Sequence, residues 1–245
     1  MPGSLSGMAI LDRVEVDEER LPPGRRWYFE VPAIDALRTA GVDLDPRVTV
    51  IVGENGAGKS TFVEAVAASW RGGLHSAVQH WGPPAATEDA DLHRALLLRG
   101  ERPRPAGGCF LRAEAMHGLF GAVDAAGTSD RAFDGALNAR SHGEGFLGYL
   151  ESRVTERGLF LLDEPEAALS FTSCLRLLSL LAAVADAGSQ VVLATHSPLL
   201  AALPGATILE FGEHGIRRAD WEELELVTHW RAFLSRPESY LRYLF

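Results

Sequence analysis

The stretch "RVTVIVGENGAGKST" (Arg47–Thr61) decides how the rest of this chain must be arranged. Its first seven residues, Arg47–Gly53, are rich in β-branched residues and place apolar ones on consecutive rather than alternate positions, as in Val50–Val52. That pattern predicts a strand covered on both faces, as in a parallel sheet. The run from Gly53 to Thr61 then fits G-x-x-x-x-G-K-[ST] and leads into a helical pattern over Lys59–Ser69. In this strand–loop–helix setting the motif reads as a phosphate cradle. The glycines let the backbone of Gly53, Glu54, Asn55, Gly56, Ala57 and Gly58 curl so that successive N–H groups face an anion. The positive end of the following helix adds to the attraction. Lys59 is expected to reach the β- and γ-phosphates of a nucleotide. Ser60 is expected to ligate Mg²⁺ through its hydroxyl, with Thr61 beside it.

Three more segments share the buried-strand pattern: Gly158–Asp163, Gln190–Thr195 and Ala206–Phe211. Helical patterns follow the cradle, then Ser170–Ala187, then the tail from Trp221, so strands alternate with helices and an α/β sandwich is predicted. In "LFLLDEPEAALS" (Leu159–Ser170) the strand ends in two carboxylates, which suits chemistry at the carboxyl edge of a parallel sheet. Asp163 is expected to hold the metal and Glu164 to polarise an attacking water. An acid pair favoured by a helix start with Pro165 in its first turn is the plainer alternative. "LATHSP" (Leu193–Pro198) places His196 at a third strand end, where it could sense a γ-phosphate. His75, His80, His93 and His117 have no paired spacing and predict no zinc site.

Bulk properties narrow the class. A chain of 245 residues with 47% hydrophobic residues is long enough for a large core. A net charge of −10 argues against a broad nucleic-acid-binding surface, although a local basic run, Arg99–Gly108, is present. That run reads more simply as a solvated loop. Cys109 and Cys174 stand far apart and read as reduced thiols. No secretory pattern opens the sequence, and Leu177–Ala185 is too short an apolar run to span a bilayer, so a soluble cytoplasmic protein is expected. Between about residues 72 and 135 glycine, proline and histidine rise, and a partly helical, irregular insertion is expected, with one strand-like segment at Gly108–Ala115. "MAILDRVEV" and "RRWYFEVPA" are expected to form an antiparallel flank to the main sheet.

The order of cradle, acid strand and histidine resembles the ATP-binding-cassette ATPase superfamily. Within it, the run "DEPEAALS" followed by "THSP" is similar to the small bacterial AAA-family ATP-binding proteins related to recombination-repair and chromosome-maintenance ATPases. The resemblance spans about Arg47 to Phe211. It implies one cassette-type domain over 1–245, with a P-loop fold, a mostly parallel sheet flanked by helices, a subdomain at about 72–150 and C-terminal helices at 221–245. In that family a signature loop precedes the acid strand and caps the nucleotide of a second subunit. "SHGEGF" (Ser141–Phe146) takes its place here, and the resemblance assigns Ser141, His142 and Gly143 to nucleotide binding across a homodimer. On its own the segment would read as a polar turn between helices.

Departures from the pattern are specific. His142 stands where a glycine is usual, and Ser170 where transporter cassettes often carry an aspartate. No Q-loop glutamine is visible; its place falls in Phe110–Met116, where Arg112 or Glu114 is the candidate to contact the metal or nucleotide. Trp27 and Tyr28 are candidates for stacking on an adenine, or core residues of an edge strand. The reading that results is a Mg-dependent ATPase that dimerises on ATP, with an unidentified protein partner. A nucleotide-binding subunit of a membrane transporter and an ATPase of DNA repair or phage defence are the alternatives. The aromatics and leucines of Trp221–Phe245 predict a packed helix pair or a docking surface.

Overall fold

The computed structural model describes residues 9–21, 24, 26–70, 75–76, 91–105, 107–113, 142–154, 156–242 and 244, with backbone only at 75–76, 142–144 and 153. Ten strands are described: β1 (Arg13–Val16), β2 (Val42–Asp43), β3 (Val48–Gly53), β4 (His75–Ser76), β5 (Leu96–Arg99), β6 (Gly107–Arg112), β7 (Gly158–Asp163), β8 (Gln190–Ala194), β9 (Thr207–Gly212) and β10 (Gly215–Ala219). Helices are α1 (Pro32–Thr39), α2 (Lys59–Ser69), α3 (Leu92–Ala95), α4 (His142–Arg153), α5 (Phe171–Asp186), α6 (Pro198–Ala201), α7 (Glu225–Ser235) and α8 (Glu238–Leu241).

The main sheet runs β10-β9-β3-β8-β7-β6-β4. Every pairing in it is parallel except β10 with β9, so the expected mostly parallel α/β fold is present. A separate antiparallel sheet joins β1 to β2 and β5. The apolar runs of the central strands serve two cores. On β7, Phe160 and Leu162 pack with α4 and α5 residues such as Phe146, Leu150, Leu177 and Leu181. The alternate residues Leu159 and Leu161 pack with Ile34, Phe62, Val63 and Val66 on the other face. Burial on both faces removes the polar alternation that a solvated strand would show.

Gln190 ties the two sheets together. Its Nε2 donates to Leu11 O and Asp45 O at 2.7 Å each, and its Oε1 accepts from Leu11 N at 2.6 Å. A buried amide that satisfies both polar groups of Leu11 does for the sheet junction what a strand neighbour would have done.

Three local expectations change. "RRWYFEVPA" is not a strand: Trp27–Glu30 form a 3-10 turn and Pro32 opens α1, where its fixed φ suits a first helical position. The antiparallel N-terminal strand β1 belongs to the small sheet rather than to the edge of the large one. The stretch after residue 72 supplies β4 and β6 to the large sheet and β5 to the small one. Predicted strand ends at Thr195 and Phe211 fall one residue from those observed, Ala194 and Gly212.

Candidate functional site

The parallel sheet brings three strand ends to one edge. Ile51 pairs with Ala194, Asp163 with Ala194 and Arg112 with Asp163, so the cradle, the acid pair and the histidine turn lie side by side. Crossing backbone bonds lock the turns: Thr195 N donates to Ile51 O and Glu164 N to Ala194 O, each at 3.0 Å. This carboxyl edge is where ligands collect in open α/β sheets.

The loop from Gly53 to Gly58 turns tightly because its glycines can. Gly58 caps α2 with φ +94°, and a Cβ there would meet Ile34 Cγ1 at 2.9 Å. At Gly53 a Cβ would lie 2.3 Å from Phe211 O, the neighbouring strand's carbonyl. Lys59 is buried, and its ammonium donates to Gly53 O at 3.0 Å and Glu54 O at 3.1 Å, folded along the loop. Burial pulls its pKa below the usual lysine value, while Glu164, Asp163, Glu166 and Glu54 oppose the shift. A deeply placed cation over a ring of backbone N–H groups can receive a polyphosphate.

Ser60 Oγ donates to Asp163 Oδ1 at 3.0 Å. Asp163 is only 1% exposed, and burial pushes its carboxyl up to about 6, against the opposing hydrogen bond from Ser60 and the charge of Arg112. A hydroxyl and a carboxylate oxygen this close are hard donors, the set that suits Mg²⁺ when phosphate oxygens and waters complete the shell. Among the described residues no group of three or more His, Cys, Asp or Glu is placed to hold a metal ion.

Glu164 is the described non-glycine residue with positive φ, at φ 48° and ψ 50°. Such a conformation costs on the order of 1–2 kcal/mol for an L-residue. It turns the chain sharply after Asp163, and the Glu164 side chain emerges half-exposed. His196 Nε2 stands 2.9 Å from Glu164 Oε1, near enough for an ion pair but outside hydrogen-bond alignment. A carboxylate facing an imidazole above a phosphate cradle can take and pass a proton.

Two residues of the site had no role in the sequence reading or only an open one. Glu166 had none: its Oε1 accepts from Thr195 Oγ1 at 2.7 Å and from His196 N at 2.6 Å, clamping the histidine turn to the acid turn. Only its place two residues after Glu164 could have hinted at this. Arg112, left open beside Glu114, lies at the centre: Nε is 3.6 Å from Asp163 Oδ2 and Nη1 is hydrogen-bonded to Glu64 Oε1. Glu114 lies outside the described residues.

Of the other expected residues, Ser141 lies outside the described residues, and His142 and Gly143 are described only as the backbone that begins α4. Ser170 caps α5, accepting from Ser173 N at 3.2 Å. Tyr28 is fully buried, with its hydroxyl donating to Asp91 Oδ1 at 2.7 Å, so its ring is a core element rather than an exposed stacking face. Trp27 is 47% exposed on the same 3-10 turn. A cleft of about 640 Å³ opens beside the cradle, between Glu54–Ala57, Val31, Phe211 and His214. Among the described residues no helix is long and apolar enough to cross a membrane.

Comparison with known proteins gives matches in sequence and in fold. Residues 131–202 match the family described as "AAA domain, putative AbiEii toxin, Type IV TA system", and residues 34–74 match a second family described as "AAA domain". The "Putative ABC transporter ATP-binding protein" of Streptomyces coelicolor is 31% identical over 185 residues, covering 69% of this chain and 32% of that protein. A protein of the same name from Streptomyces avermitilis is 30% identical over the same shares. The chain thus spans about a third of the length of these curated relatives. Among solved structures, CbiO1 of Clostridium perfringens, part of the ABC transporter complex CbiONQ, is similar in fold. Its TM-score is 0.51 at 14% identity, over 94% of this chain and 97% of that one. By its motifs and these matches, the chain is similar to ATP-binding proteins of the ABC-type ATPase/AAA superfamily.

Proposed function

We propose that this chain binds Mg-ATP in the Gly53–Thr61 cradle, hydrolyses it with Glu164 and His196, and uses the cycle to close and open a homodimer. The observation that carries the reading is the convergence at one sheet edge of Lys59, the Ser60–Asp163 pair at 3.0 Å and the Glu164–His196 pair at 2.9 Å. Backbone N–H groups from Gly53 to Gly58 and the Lys59 ammonium hold the β- and γ-phosphates. Ser60 and Asp163 would hold a magnesium ion, which when bound would supply charge neutralisation on the phosphate oxygens. Glu164 takes a proton from the attacking water. His196 stands beside it to stabilise that carboxylate and the γ-phosphate. Ser141, His142 and Gly143 serve the nucleotide of the second subunit, at the start of α4 where backbone donors collect.

Glu164→Gln tests this directly. Hydrolysis should fall by roughly 10²-fold or more while ATP binding persists, and the variant should accumulate as an ATP-bound dimer in sizing experiments. Hydrolysis at the wild-type rate would remove Glu164 from its role; a persistent monomer at saturating ATP would remove the dimer switch. A second reading, a nucleotide-binding subunit of a larger transport machine, is favoured by the name of the Streptomyces relatives. Co-purification with a membrane permease would select it.

A further inference from the structure

We propose that Arg112 is a resident counter-cation that keeps a free divalent metal ion out of the Ser60–Asp163 site until a nucleotide brings further negative charge. This rests on the reading above that Ser60 and Asp163 form the metal site. Arg112 ends β6 and lies in register opposite Asp163 on β7. Its Nε is 3.6 Å from Asp163 Oδ2, while its Nη1 is hydrogen-bonded to Glu64 Oε1. Glu64 stands four residues after Ser60 on α2, so both lie on one face of that helix. The guanidinium is therefore suspended between a carboxylate from α2 and one from β7, at the two residues assigned to the metal.

The chemistry of the residue type decides its role. A glutamine or carboxylate at this strand end would offer an oxygen lone pair to a cation. A guanidinium has five donors and no acceptor, and it keeps its charge at every physiological pH. It cannot ligate a metal and can only repel one. Asp163 is 1% exposed and Arg112 36%, so water screens the guanidinium from its outer side and the repulsion is felt most on the buried side, at the Asp163 oxygens. The other cation of the site, the Lys59 ammonium, is turned to the Gly53 and Glu54 carbonyls. A nucleoside triphosphate reverses the balance by adding several negative charges at once. Metal entry then becomes coupled to nucleotide entry.

The test is Mn²⁺ binding to the intact chain, followed by electron paramagnetic resonance near neutral pH, with and without a non-hydrolysable ATP analogue. Without nucleotide, Arg112→Gln should bind Mn²⁺ at least about tenfold more tightly than wild type. Arg112→Lys, which keeps the charge, should stay within about threefold of wild type. With the analogue present, the gap between Arg112→Gln and wild type should narrow. Equal free-metal affinity in Arg112→Gln and wild type would overturn the proposal, as would a lysine variant that binds as tightly as the glutamine one. Asp163→Asn separates the two ways of failing. If it weakens Mn²⁺ binding in the presence of the analogue while Arg112→Gln gains nothing, the metal site stands and only the guard falls. If the Mn²⁺ gained by Arg112→Gln survives Asp163→Asn, the metal site itself is misplaced, and the proposal falls with it.

Discussion

Asp163→Asn should stabilise the metal-free, nucleotide-free protein while disabling its site. Asp163 is buried at the end of β7, and burial raises its carboxyl from 3.8 to about 6. Between those two values the native state binds more protons than the unfolded chain. Stability is therefore fully present below 3.8 and is lost as pH rises through about 6. The difference of roughly two units corresponds to about 3 kcal/mol of destabilisation at neutral pH. Asparagine keeps an oxygen that can accept from Ser60 and carries no charge to desolvate. The attraction of Arg112, which the asparagine forfeits, already opposes the rise in Asp163. In chelator at about pH 8, Asp163→Asn should therefore melt roughly 6–12 °C above wild type, at about 2–4 °C per kcal/mol for a domain of this size. Denaturant unfolding from about pH 4 to pH 8 is the assay, because the two proteins should converge at the acid end. An asparagine variant no more stable than wild type at the alkaline end would refute the reasoning. So would a gain of equal size at both ends, which would mean that packing rather than desolvated charge is responsible.

Three further outcomes follow from named contacts. Glu166→Ala removes both bonds that clamp the His196 turn and should lower the hydrolysis rate by roughly 10–100-fold with ATP affinity within about twofold, checked by steady-state kinetics and equilibrium binding. Gln190→Leu strips Leu11 N and Leu11 O of their buried partner and should cost about 2–5 kcal/mol in denaturant unfolding, with nucleotide affinity unchanged once folded. Gly58→Ala forces a Cβ into a left-handed position 2.9 Å from Ile34 Cγ1; calorimetry should show weaker nucleotide binding by tenfold or more, with loss of about 1–3 kcal/mol of stability.

The parts of this fold that can be read from the chain are those whose surroundings are uniform. Strands β3, β7 and β8 are buried along almost their whole length, so each carries an unbroken apolar run wherever its neighbours lie. Edge and satellite elements carry no such mark. The Leu96–Arg99 strand alternates buried and less buried residues, and its four-residue length gives a period-2 pattern little room to show. "WYFE" has strand-favouring aromatics, yet Pro32 and the packing of Tyr28 turn it into a helical entry.

The candidate site divides in the same way. Lys59 and Ser60 at the helix start, and Asp163, Glu164 and His196 at or just past strand ends, are legible because each sits within a short motif whose spacing is itself the chemistry. Sequence alone therefore determines that a phosphate cradle, an acid pair and a histidine exist, and in which order. Tertiary structure decides what stands between them. Arg112 meets Asp163 because β6 pairs in parallel with β7 at that register, and a one-residue slip would turn it to the other face. Glu166 meets Thr195 and His196 because β7 and β8 are neighbours although 25 residues of chain lie between Glu164 and Gln190. Contacts of that kind depend on strand order and register, which local sequence periodicity does not encode.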